Sequence, residues 1–122
     1  MKIGIIKEGK CPPDKRVPLS PEQCKYILHN YSSVSIYVQS SGIRCFNDEE
    51  YINNGVKIVD ELSFCDIILG VKEVPVHMLL DNKVFLFFSH TIKKQPYNQA
   101  LLKQIIDKNI QLIDYETLVY DN

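Results

Sequence analysis

Asp66-Ile67-Ile68-Leu69-Gly70-Val71 and Lys83-Val84-Phe85-Leu86-Phe87-Phe88-Ser89 decide the fold. Each is an almost unbroken apolar run of strand length, without the strict alternation of a sheet that has one wet face. Both therefore predict strands covered on two sides, the pattern of a parallel sheet.

Working outward from this pair, Lys2–Lys7 (KIGIIK) predicts a buried first strand, Val34–Val38 (VSIYV) a second, Val56–Val59 a third and Ile110–Ile113 a last one. Helical signals lie between them. Ser20-Pro21-Glu22 supplies an N-cap, a proline at the first helical position and an early acid, so a helix is expected to about Asn30. Asn47-Asp48-Glu49-Glu50 opens a short helix ending near Asn54-Gly55, where the glycine suits a left-handed cap. Val76–Asp81 predicts one or two helical turns. Gln95–Asn109, with Ala100, Leu101, Leu102, Ile105 and Ile106 against Lys103, Gln104 and Asp107, predicts an amphipathic helix. Strands alternating with helices give an α/β fold class, a three-layer Rossmann-like (flavodoxin-like) domain with a mainly parallel sheet and right-handed crossovers. Ile5, Ile68, Leu69, Leu86 and Phe88 are expected to be shielded from solvent, with Phe85 and Phe87 in the core.

A chain of 122 residues, 45% hydrophobic and 24% charged, is sized and composed for one folded domain. Its net charge of −1 provides no field to attract nucleic acid or an anionic membrane, so neither is an expected partner. With no leader-like start and no apolar stretch near the length of a membrane span, the expected location is cytoplasmic. The four cysteines form no CxxC pair; reduced thiols are expected rather than a metal site, and Cys11 sits in the loop best suited to reactivity because of its lysines.

In parallel α/β sheets ligands sit beyond the carboxyl ends of the strands. Arg16 follows strand one through the loop GKCPPDKRVPLSP, Lys72 directly follows DIILGV, and His90 directly follows KVFLFFS. A carboxylate-binding cation and two groups able to move protons suit an amino acid or a keto acid. Residue type alone leaves other readings open: Lys72-Glu73 as a solvated loop, His90 as a satisfied core histidine, Arg16 as a surface arginine. His29 reads as a helix-end cap and His77 as part of a short surface helix. The glycines build neither GxGxxG nor a P-loop, and GxSxG and HExxH are absent.

RVPLSP (Arg16–Pro21), ILGVKEVP (Ile68–Pro75), FFSHTIKKQPYN (Phe87–Asn98) and LIDYETLV (Leu112–Val119) resemble, in order, the N-terminal domain of the saccharopine dehydrogenase (lysine-forming) / lysine-ketoglutarate reductase family. That family lies within the alanine dehydrogenase and transhydrogenase superfamily. The resemblance implies interconversion of lysine plus 2-oxoglutarate with saccharopine through an imine, with hydride exchanged with NAD(H) or NADP(H). It places catalytic roles on Lys72 and His90, carboxylate binding on Arg16, and cleft positions on Lys93, Glu73 and Glu116. Contributions from Lys10 to Lys15 stay open, because KCPPDK does not align with the family pattern. It further implies that residues 1–122 are the substrate-side domain of a larger dehydrogenase whose cofactor-binding Rossmann domain is absent from this chain. Glu116–Tyr120 then reads as the start of another element, in a truncated chain or a separately encoded domain. Alone, the domain is expected to be inactive, to bind no dinucleotide tightly and to present an apolar face able to drive homo-oligomer formation. Two alternatives remain: an alanine dehydrogenase or transhydrogenase-type domain, and a non-catalytic amino-acid-binding module.

Overall fold

The computed structural model describes residues 1–91 and 96–121, with Tyr97 described by its main chain only. Six strands form one sheet: β1 (Lys2–Ile5), β2 (Ser35–Gln39), β3 (Lys57–Val59), β4 (Ile67–Leu69), β5 (Val84–Phe87) and β6 (Gln111–Asp114). Their spatial order is β3-β2-β1-β4-β5-β6 and every neighbouring pair is parallel. This is the doubly wound Rossmann order, in which the winding reverses between β1 and β4. Gly4 of β1 is in register with Tyr37 on one side and Ile68 on the other.

Three α-helices accompany the sheet: α1 (Pro21–Asn30), α2 (Asp48–Ile52) and α3 (Gln99–Asp107). Capping boxes open the first two. Ser20 accepts the Gln23 N–H at 3.2 Å while Gln23 returns a side-chain oxygen to the Ser20 N–H, and Asn47 and Glu50 do the same for α2. Gly55, at φ +85°, ends α2 in the left-handed region. The helix expected from Gln95 becomes regular at Gln99, because Pro96–Asn98 form a 3₁₀ turn first. Val76–Met78 is a single 3₁₀ turn. Another covers Tyr115–Thr117, after which Leu118, Val119 and Tyr120 are exposed without regular structure.

Strand alternation separates two cores. On one face α1 and α2 cover β1 to β3 and bury Ile5, Cys24, Ile36, Val38, Tyr51 and Val56. On the other, Ile68, Phe85 and Phe87 point toward Leu79 and the Leu101 and Ile105 stripe of α3. Phe85 and Phe87 are fully buried, and each such side chain contributes about 1.5–3 kcal/mol. The second core requires glycine at position 4: a Cβ there would lie 3.0 Å from both Cys65 Sγ and Leu62 Cδ2.

The expected shielding of five apolar residues holds for two of them. Ile5 and Ile68 are buried, but Leu69, Leu86 and Phe88 are only half-buried. They project onto the face that α1 and α2 cover only over β1 to β3, so among the described residues no helix lies above them. A groove of about 460 Å³ runs there, lined by Val17, Pro18, Leu69, Leu86, Phe88 and Tyr115, with Arg16 also lining it. Cys24 and Cys65 are buried and Cys11 and Cys45 exposed; all four are free thiols, and burial pushes Cys24 up to about 11. No helix among the described residues is long and apolar enough to cross a membrane.

Candidate active site

The carboxyl edge of the sheet at the β1/β4 reversal is closed by Glu8. One oxygen of its carboxylate accepts the Lys72 N–H at 2.7 Å and the other the Val71 N–H at 3.3 Å, tying the loop after β1 to the end of β4. Burial raises its pKa against the opposing effect of those two hydrogen bonds. In Rossmann domains that bind dinucleotides, the glycine turn after β1 cradles the pyrophosphate at the N-terminus of the following helix. Here that turn is replaced by a loop running from Ile6 to Ser20, its Gly9 is packed so closely that a Cβ would lie 2.6 Å from Met78 Sδ, and Glu8 occupies the Val71 and Lys72 amides. These residues do not fit a dinucleotide phosphate.

Beyond Glu8 the charged groups form two sets. In the first, Asp14 stands between Arg16 and Lys72. Arg16 Nη2 lies 2.7 Å and Lys72 Nζ 3.7 Å from Asp14 Oδ2, and the Arg16 Nε and main-chain N–H both donate to Oδ1. The Arg16 guanidinium hydrogen-bonded to it holds the Asp14 carboxyl well below the usual carboxylate range. The arginine side chain remains 64% exposed, so it keeps a free edge for a second anion.

The second set is built on Glu73, whose side chain is only 9% exposed. Lys10 Nζ lies 2.6 Å from Glu73 Oε2 and His90 Nδ1 lies 2.6 Å from Glu73 Oε1. His90 Nε2 is 3.4 Å from Glu116 Oε1, so the ring is held between two carboxylates and remains partly open to solvent. The two sets join at the peptide between Lys72 and Glu73.

The structure therefore brings Arg16, Lys72, Glu73, His90 and Glu116 to one edge of the sheet, at the ends of β1, β4, β5 and β6. Lys93 lies outside the described residues. Asp14 and Lys10 fill places that the sequence left open between Lys10 and Lys15. Their signal was slight: an acid two residues before the arginine, and a lysine ahead of Pro12-Pro13. Among the described residues, no group of three or more His, Cys, Asp and Glu side chains could hold a metal ion.

Fold and site together define a doubly wound α/β domain with its chemistry gathered at the winding reversal: a half-free arginine, a lysine and a carboxylate-bracketed histidine. Residues 4–122 match the family model described as "Alanine dehydrogenase/PNT, N-terminal domain", and the chain belongs to that family. It is similar to an alpha-aminoadipic semialdehyde synthase of Arabidopsis thaliana, 38% identical over 98% of this chain and 12% of that protein. A saccharopine dehydrogenase [NAD(+), L-lysine-forming] of Yarrowia lipolytica is 28% identical over 100% of this chain and 34% of its own length. The solved structure of an L-alanine dehydrogenase shares the fold with a TM-score of 0.79 at 22% identity, covering 96% of this chain and 33% of that one. The chain thus spans about one eighth of the first relative and one third of the others.

Proposed function

We propose that this domain is the substrate-side half of a nicotinamide-dependent amino-acid oxidoreductase that interconverts lysine plus 2-oxoglutarate with saccharopine. The observation that supports it best is the joined cluster itself: Arg16 and Lys72 share Asp14, while the neighbouring Glu73 holds His90. A carboxylate-binding group and two proton-moving groups are what imine chemistry between an amine and a keto acid requires.

The exposed edge of Arg16 pairs with a carboxylate of the keto acid and fixes its carbonyl beside Lys72 and His90. As the amine nitrogen bonds to the carbonyl carbon, Lys72 takes a proton from that nitrogen and His90 gives one to the oxygen. A second proton delivered through His90 lets the oxygen leave as water, and the C=N bond remains. The reverse sequence hydrolyses the imine. Lys93 is proposed to line the same cleft. NAD(H) or NADP(H) supplies the redox step, and because the β1 loop does not fit its phosphates, the proposal places it on a second domain outside these residues.

The family's own description leaves an alternative, a substrate pair of the alanine and pyruvate type, which the same cluster accommodates. A spectrophotometric assay of a dehydrogenase carrying this domain separates the two. Nicotinamide oxidation with lysine and 2-oxoglutarate, and not with ammonia and pyruvate, is the expected result. The opposite preference overturns the lysine reading, and turnover with neither pair overturns the enzymatic one.

A further inference from the structure

Behind His90 lies a buried polar cluster to which the preceding chemistry gives no part. Ser89 is 0%, Thr91 8% and Asp114 7% exposed. Asp114 Oδ2 accepts both the Ser89 main-chain N–H, at 3.3 Å, and the Ser89 hydroxyl. Its other oxygen, Oδ1, accepts the Glu116 N–H at 3.0 Å. With its own proton given to Asp114, Ser89 Oγ accepts from Thr91 twice, from the hydroxyl at 2.7 Å and from the main-chain N–H at 3.2 Å.

His90, enclosed between Ser89 and Thr91, has φ +55°. The other non-glycine residues in this region among those described are Asn82 and Asn109, and asparagine tolerates it through local hydrogen bonding. Histidine is also found there more often than most residues, but the conformation is still strained and is held by its surroundings. On one side the surroundings are the Ser89–Asp114–Thr91 cluster. On the other, Asn98 Nδ2 donates to the His90 carbonyl at 2.8 Å.

We propose that Asp114 is the positioning residue of the site. One buried carboxylate at the end of β6 holds the residue before His90 with one oxygen and the N–H of Glu116 with the other. It thereby sets the imidazole in register with both of its carboxylate neighbours, Glu73 at Nδ1 and Glu116 at Nε2. Burying a carboxylate is costly, and an apolar pair would hold two strand ends together at least as well. What the carboxylate adds is three directed acceptor contacts that fix two flanking residues at once. This assignment rests on reading His90 as the proton-transfer group, but the geometry it claims is measurable without turnover.

Asparagine at 114 offers one acceptor oxygen and turns an N–H toward a donor, so it cannot hold Ser89 and Glu116 together. Ser89→Ala removes only the hydroxyl and is the gentler variant. The readout is the His90 Nδ1–H resonance in imidazole ¹⁵N–¹H spectra of the 122-residue chain, with His29 and His77 as internal controls. In the parent chain it is expected as a protected, downfield signal from the bond to Glu73. In Asp114→Asn and in Ser89→Ala its exchange is expected to quicken about tenfold or more, the effect of loosening one charge-assisted hydrogen bond, while the amides of Ile36 and Phe85 keep their shifts.

An unchanged His90 signal in either folded variant overturns the proposal. Unfolding of both variants also overturns it, making the cluster a stability element. In a dehydrogenase carrying the domain, Ser89→Ala is expected to lower kcat more than it changes KM. A displaced His90 signal with unchanged kcat supports the positioning role and removes the catalytic one from His90, so the two readings fail separately.

Discussion

His90 Nδ1 lies 2.6 Å from Glu73 Oε1, and this pairing fixes which ring nitrogen carries a proton. Burial alone would push the Glu73 carboxyl up, but hydrogen bonds from Lys10 and His90 outweigh it and hold the group below its ordinary value. An ionised carboxylate only accepts, so Nδ1 donates and Nε2, facing Glu116 and solvent, is free for proton exchange. Glu73→Gln is therefore expected to lower kcat of a dehydrogenase carrying this domain by about tenfold and to displace its pH profile, the consequence of weakening a charge-assisted bond to the ring proposed to transfer protons. Steady-state rates across pH check this, and a superimposable profile would refute it.

Arg16 is the expected carboxylate anchor. Its replacement by glutamine leaves Asp14, among the described residues, with the main-chain N–H of position 16 and an ion pair to Lys72 at 3.7 Å, and removes the exposed fork. The KM for 2-oxoglutarate or saccharopine is expected to rise by about tenfold or more while kcat changes less, the pattern of lost binding common to ground and transition states. A fall in kcat at constant KM would move Arg16 out of the binding role.

Acid stability follows from the sign of the shifts. The hydrogen-bonded Arg16 guanidinium depresses Asp14 from its ordinary 3.8, so this contribution is fully present above that value and is lost as pH falls through the folded-state pKa. Glu73 acts in the same sense below 4.5. Glu8, raised mainly by burial, acts oppositely: its contribution is present below 4.5 and is lost as pH rises through its folded value. Asp14→Asn should therefore reduce the stability lost on acidification below about pH 4, by roughly 1 kcal/mol given that Arg16 is largely solvated, and so flatten the acid limb of Tm against pH. Thermal melts between pH 2 and 6 test it, and parallel curves for the two proteins would contradict it.

Much of this was legible in the sequence because the signals were local. The β-branched and apolar runs at Ile67–Leu69 and Val84–Phe87 are strands, and Ser20, Asn47 and Gly55 cap helices as their chemistry dictates. The half-exposure of Leu69, Leu86 and Phe88 was not legible, since a run that is apolar on both sides does not say which covering element is present. At the site, position after a strand pointed to Lys72 and His90, and the family resemblance added Glu73 and Glu116. Asp14, Lys10, Glu8 and Asp114 were hidden because acids and lysines in loops look alike until the backbone brings them together. His90 at positive φ belongs to the same class, for nothing in FFSHTIK announces a left-handed residue.

Dinucleotide binding can be measured on the chain itself. With the glycine turn replaced and Glu8 on the Val71 and Lys72 amides, calorimetry with NADH and NADPH is expected to show no affinity tighter than about millimolar for residues 1–122. Micromolar binding of either dinucleotide would show that the phosphates find another cradle.

The most direct test of the proposed function is the turnover number of a dehydrogenase carrying this domain, measured with Lys72→Met and with His90→Gln. Each is expected to lower kcat by about 10²-fold or more, the usual loss on removing a general acid or base. If kcat is unchanged in both variants, the proton-transfer roles assigned to Lys72 and His90 are wrong, whatever the fold and the family.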